Sequence, residues 1–276
     1  MAVIDKSRLL AGGVVLLAGL LAVMGCGRRP VAVLPRPPAA TVAAAWNRLA
    51  AVNSLESRGI IRMTAADGEK NAGRIRLLAA APDRLKIQWL TPWQTVAWQL
   101  LLNRQQFWLT DSKEKTTYYG RLADWRSNHG CRRQLWWWRY LEMLAGWSEL
   151  LRPPANDGRG ERPLRAAHWP AVERVEYLVT ADGRLPAGKI IRFANGEEWR
   201  LELADFEELP AGKVFPRRWT ITTPRATLTL LLAAPRLNPP LGGTVFAYRQ
   251  DSFALREFRC QQESQPAQRE GEKPQK

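Results

Sequence analysis

Two histidines and three cysteines are the side chains of this 276-residue sequence that could support nucleophilic or metal chemistry. His129 and Cys131 stand two apart, so a loop could pair a thiol with an imidazole base. His168 has no partner at metal-ligand spacing, and no zinc or calcium pattern occurs. There is no G-x-S-x-G elbow and no phosphate-cradling glycine loop. Asp67-Gly68 and Asp182-Gly183 have the composition of hairpin turns, not of ligands. The sequence therefore points away from an enzyme, and it calls for no metal and no cofactor.

Cys26 stands in a different setting. Lys6 and Arg8 precede an uncharged run from Leu9 to Gly25, which ends in Val23-Met24-Gly25-Cys26. A membrane-spanning helix needs about 20 apolar residues, so the run reads as a secretory signal and less well as an uncleaved inner-membrane anchor. Its end resembles a bacterial lipobox, which predicts removal of residues 1–25 and acylation of Cys26. One acyl chain anchors only marginally, at about 0.8 kcal/mol per buried methylene, so a multiply acylated cysteine would hold the protein on a bilayer. Gly27 follows, not Asp, and by resemblance to the sorting pattern of enteric bacteria this favours the outer membrane. Cys131 and Cys260 are then left, as a disulfide in an oxidising periplasm or as two free thiols.

The formal charge is +15. Residues 1–25 hold Lys6, Arg8 and Asp5, a net +1, so the mature chain keeps +14. Such a charge ordinarily suggests nucleic acid, and Trp interleaved with Arg could stack on single strands. Export removes that partner, and most tryptophans fall at inward positions. Acidic lipid head groups and acidic proteins remain, as does a solvated cationic surface with no partner.

The elements around these residues are mostly strands. Residues 26–40 hold four prolines and read as a tether reaching about 40 Å. Val42, Trp46, Leu49 and Val52 recur at helical spacing, with Thr41 as N-cap. From Ser57 to Tyr119 six strands follow in a meander with one apolar and one cationic face. Its apolar positions include Ile61, Met63, Leu77, Leu85, Ile87, Trp89, Val96, Trp98 and Leu100. Residues 134–151 form a helix apolar over most of its circumference, with Trp137, Tyr140, Leu141 and Leu144 on one stripe; it reads as a lid. A second meander of five strands carries Trp199, Leu201 and Trp219 inward, and Asn195-Gly196 marks a tight primed hairpin turn. Residues 259–276 read as a disordered tail. The domain is thus 41–258: mainly β, an incomplete and strongly curved antiparallel barrel of about eleven strands, with an N-terminal helix and a helical lid over an apolar cavity.

This order of lipobox, tether, helix, six strands, lid and five strands resembles the periplasmic lipoprotein carrier and outer-membrane lipoprotein receptor superfamily (LolA/LolB). The segments "AAPDRLKIQWLTPWQTVAWQL", "TTYYG" and "FPRRWTITTPRATLTLLLAAPRLNPPLGGTVF" carry the likeness. It implies a hollow that binds acyl chains, with the inward residues named above as its wall. The anchor places the chain nearer the receptor branch. That branch implies acylated lipoproteins and a periplasmic carrier as partners, and insertion of cargo into the outer membrane by a monomer. It also puts an apolar side chain on the loop after the third strand; Trp93 in "LTPWQT" holds that place. The alternative is a lipid-binding envelope sensor or assembly accessory that transfers no cargo.

Overall fold

Alternating side chains along the chain's many short strands need a single sheet with one face to bury, and the computed structural model has one. It describes residues 37–122, 144–154, 169–250 and 252–258. The signal run, Cys26, Cys131, Cys260, both histidines, Trp137, Tyr140, Leu141 and the 259–276 tail lie outside the described residues. Among the described residues no helix is long and apolar enough to cross a membrane.

Helix α1 spans Ala39–Asn47. It starts before the expected Thr41, which lies inside it, because a run of alanines needs no side-chain cap to begin a helix. It also ends early: Val214 takes the carbonyl of Arg48 and the N–H of Ala50, drawing Leu49 into a bridge and Val52 beyond it. The first meander follows as β1 (Ser54–Ala65), β2 (Lys70–Ala80), β3 (Arg84–Leu90), β4 (Val96–Asn103), β5 (Gln106–Asp111) and β6 (Thr116–Arg121). After a short helix α2 (Trp147–Leu151) come β7 (Val172–Val179), β8 (Pro186–Phe193), β9 (Glu198–Glu208), β10 (Val214–Thr222) and β11 (Ala226–Leu237). A twelfth strand, β12 (Ala254–Glu257), was not legible in the sequence.

All twelve join in the order β12-β6-β5-β4-β3-β2-β1-β11-β10-β9-β8-β7, antiparallel except that β12 runs parallel to β6. The two meanders meet where β1 pairs with β11, Ile61 opposite Leu230 and Met63 opposite Leu228. The sheet does not close, since β7 and β12 are its edges. It does curl. Ser148 of α2 donates to the Pro82 carbonyl at the β2–β3 turn, while Lys189 of β8 donates to Glu149 and Arg152 at the same short helix. β2 and β8 are five strand spacings apart, about 24 Å on a flat sheet, whereas a five-residue helix is about 7.5 Å long. Only a sheet wrapped around α2 satisfies both contacts.

Three expectations change. The helix expected over 134–151 is interrupted, with Gly146 as a turn between helical 144–145 and α2. The Trp169 indole lies 2.1 Å from where a Cβ at Gly146 would sit, so only glycine lets the chain pass there. The Asn195-Gly196 turn has a positive φ at Gly196 alone, with Asn195 Oδ1 accepting from Glu197 N–H, so it is not the primed turn expected. Finally, the outer face is not all wet. Leu78, Ala80 and Leu101 form a second small core there with Phe246, flanked by Trp108, Leu241, Val245 and Tyr248. The chain after β11 crosses the outside of the sheet and covers apolar residues that alternation had assigned to solvent.

Candidate functional site

One apolar cluster lines the inner face from end to end. It contains ten of the expected wall residues: Ile61, Met63, Leu77, Leu85, Ile87, Leu100, Leu144, Trp199, Leu201 and Trp219, none more than 4% exposed. Trp89 and Trp98 are half-buried and packed against it. Val96 is not with them. A bulge shifts the β3–β4 register by one between Trp89 and Leu90, setting Val96 across from Leu90 and out of the Trp89–Trp98 row.

The β3–β4 hairpin grades from sealed to open. Leu85 and Leu100 are buried, and Trp89 faces Trp98 with ring centroids 5.0 Å apart and planes tilted 31°. Gly73 of β2 makes room for this pair, since a Cβ there would meet the Trp89 indole at 2.0 Å. Beyond it the Thr91 and Thr95 hydroxyls bond at 2.7 Å and close the loop, with Gln94 at φ +67°. Trp93 stands at the tip, 84% exposed. Pro92 ends β3 as expected, because it brings no N–H to a ladder. No other large apolar side chain among the described residues is as exposed.

The β8 side is built differently, around a residue the sequence reading passed over. Lys189 is fully buried among Trp46 of α1, Tyr177 of β7 and the end of α2. Its Nζ donates to the carbonyls of Glu149 (2.9 Å) and Arg152 (2.6 Å) and lies 4.9 Å from each ring centroid. Burial pushes its pKa well below the usual lysine value, the Glu149 carboxylate pulls it back up, and Arg152 pushes it further down. Glu149 and Arg152 pair at 2.6 Å. Trp46 Nε1 donates to the Leu178 carbonyl, which ties α1 to β7. The signal was present: Lys189, Ile191 and Phe193 alternate onto one face, so the lysine had to point inward.

Among the described residues no three His, Cys, Asp or Glu side chains are grouped so that they could hold a metal. What the arrangement offers is apolar surface, sealed at β8 and open beside Trp93.

No family model matches the chain, and no curated protein sequence matches it. In structure it is similar to a LolA superfamily protein from Nitrosomonas europaea, at 13% identity and a TM-score of 0.46, over 76% of this chain and 96% of that one. It is similar to a putative outer-membrane lipoprotein-sorting domain from Vibrio parahaemolyticus at 9% identity and 0.42, over 72% and 92%. A third is a DUF1329 family protein from Desulfovibrio piger, at 11% identity and 0.46, over 78% and 98%.

Proposed function

We propose that this chain is a receptor-like member of the LolA/LolB superfamily, held on the outer membrane by acylated Cys26. It takes acyl chains of other lipoproteins from a periplasmic carrier onto its inner apolar face and releases them into the bilayer at the β3–β4 tip. The observation that carries the reading is the graded hairpin: a buried apolar row rising through the Trp89–Trp98 pair to a fully presented Trp93. A tryptophan there suits the head-group boundary, where an amphipathic ring is at home. No covalent step is involved. An acyl chain of about a dozen methylenes gains roughly 10 kcal/mol on leaving water, at about 0.8 kcal/mol each. A receptor must therefore offer a face nearly as favourable as a membrane, and no better, or release fails.

The test compares the protein with its Trp93→Glu variant in acyl-ligand binding and in lipoprotein transfer to liposomes. Binding should be unchanged and transfer should fall at least tenfold. Equal transfer by both forms would remove the tip from the mechanism and favour the sensor or accessory role.

A further inference from the structure

The outer face carries a second arrangement that acyl binding does not use. Arg58 and Arg62 of β1 are exposed, as are Arg74 and Arg76 of β2. The register puts Arg58 directly across from Arg76 and Ile60 across from Arg74. Like charges facing across a ladder oppose pairing, so this placement works against the sheet. Only Arg76 is compensated, by Glu56, which also serves Arg236. The guanidinium groups of Arg58, Arg62 and Arg74 have no acidic partner among the described residues. Ile60 sits in their middle, 40% exposed. The surplus extends to β3, where the charges of Arg76 and Arg249, after burial, lower the pKa of Lys86.

This cluster adjoins the Trp93 hairpin. Arg74 lies across from Leu90, the last residue of β3 before the tip. At about 4.8 Å per strand, Leu90, Arg74 and Ile60 form a row roughly 10 Å across. We propose that Arg58, Arg62 and Arg74 around Ile60 are a docking surface for phosphate head groups of an anionic bilayer, seating the outer side of β1 and β2 on the membrane beside the tip. The proposal rests on the reading that this chain works at a bilayer. Guanidinium takes phosphate through two parallel hydrogen bonds, which a carboxylate-bearing protein could also supply. The exposed aliphatic centre and the neighbouring tryptophan favour the bilayer, since cations, an aliphatic side chain and an indole match the layers of its boundary.

The test uses the full chain with a benzophenone amino acid at position 60, reconstituted in two kinds of vesicle. One is phosphatidylcholine alone; the other has about a third phosphatidylglycerol, enough to make the surface anionic. On the proposed function acylated Cys26 attaches the chain to both, so the photo-adduct reads which face meets lipid. Each basic side chain near an anionic surface contributes about a fivefold preference, so three should give roughly 100-fold. We expect at least a tenfold excess of lipid adduct on anionic vesicles, lost in Arg58→Gln/Arg62→Gln/Arg74→Gln. Arg62→Gln alone should lose part of it, which covers any misfolding of the triple variant. Equal yields on the two vesicles, no effect of the substitutions, or adducts to an acidic protein instead of lipid in native membranes would each overturn the surface. Lipoprotein transfer measured in the same vesicles separates the two proposals. Transfer without adduct removes the surface alone, and adduct without transfer keeps the surface while removing the transfer role.

Discussion

The two sides of the curled sheet bury apolar surface by opposite means. Around β8 the chain spends polar groups to seal it: Lys189 reaches into a box of rings and carbonyls and ties α1, α2 and β7 together. Among the described residues the β3–β4 hairpin has no buried lysine of this kind. Its tryptophans lie half-buried, and Thr91 and Thr95 bond to each other across the loop. A protein that needed only stability would cover the second region as it covers the first. On the proposed function, the difference gives rigidity to one side and exchange to the other.

The largest effect is expected in the middle of the hairpin. Leu100→Glu puts a carboxylate at a fully buried position of the shared core and should cost several kcal/mol, with acyl binding lost. Denaturant unfolding with an acyl-ligand titration checks it; a stable variant with normal binding would mean that this face holds no ligand. On the sealed side, Lys189→Met leaves two buried carbonyls without their donor, and stability should fall by about 1–3 kcal/mol. That loss depends on pH. Because burial lowers the Lys189 pKa from 10.5, the unfolded chain binds a proton that the folded chain gives up. Stability gained from this group therefore rises with pH above the folded value and levels off past 10.5. Urea midpoints through that alkaline window should climb in the parent and flatten in Lys189→Met.

These regions also differ in how far they could be read from sequence. Strict alternation in "DRLKIQW" placed β3 and its inward Leu85, Ile87 and Trp89, and Pro92 placed the tip. Val96 was misplaced because the extra residue of a bulge breaks period two without leaving a mark in composition. Alternation puts Leu78 and Leu101 on the outer face, expected to be wet, and there they are buried. Their cover, Phe246 and Tyr248, comes from a distant irregular segment with no periodicity to announce it. β12 is four residues long and exposed throughout, too short for alternation to register. Lys189 could have been read from its own strand, but its partners belong to α1, β7 and α2, and only the curl brings them together.

Smaller perturbations sharpen the open side. Gly73→Ala forces the Trp89 indole to move and should cost about 1 kcal/mol, while altering acyl on- and off-rates more than core stability. Stopped-flow acyl binding alongside thermal melting separates the two effects. Trp93→Glu should change stability by less than about 0.5 kcal/mol, since the ring touches little; a large loss on melting would show that it belongs to the core.

On the proposed function, the inner face holds an acyl chain which enters and leaves past the Trp89–Trp98 pair. The most direct measurement is photo-labelling of the full chain with a fatty acid bearing a diazirine near its methyl end, followed by mass-spectrometric mapping of the adducts. Adducts are expected on inward residues of β2 to β4, such as Leu77, Ile87 and Leu100, blocked by excess lipoprotein acyl groups. Adducts confined to the outer cluster at Leu78 and Phe246, or none above background, would contradict it.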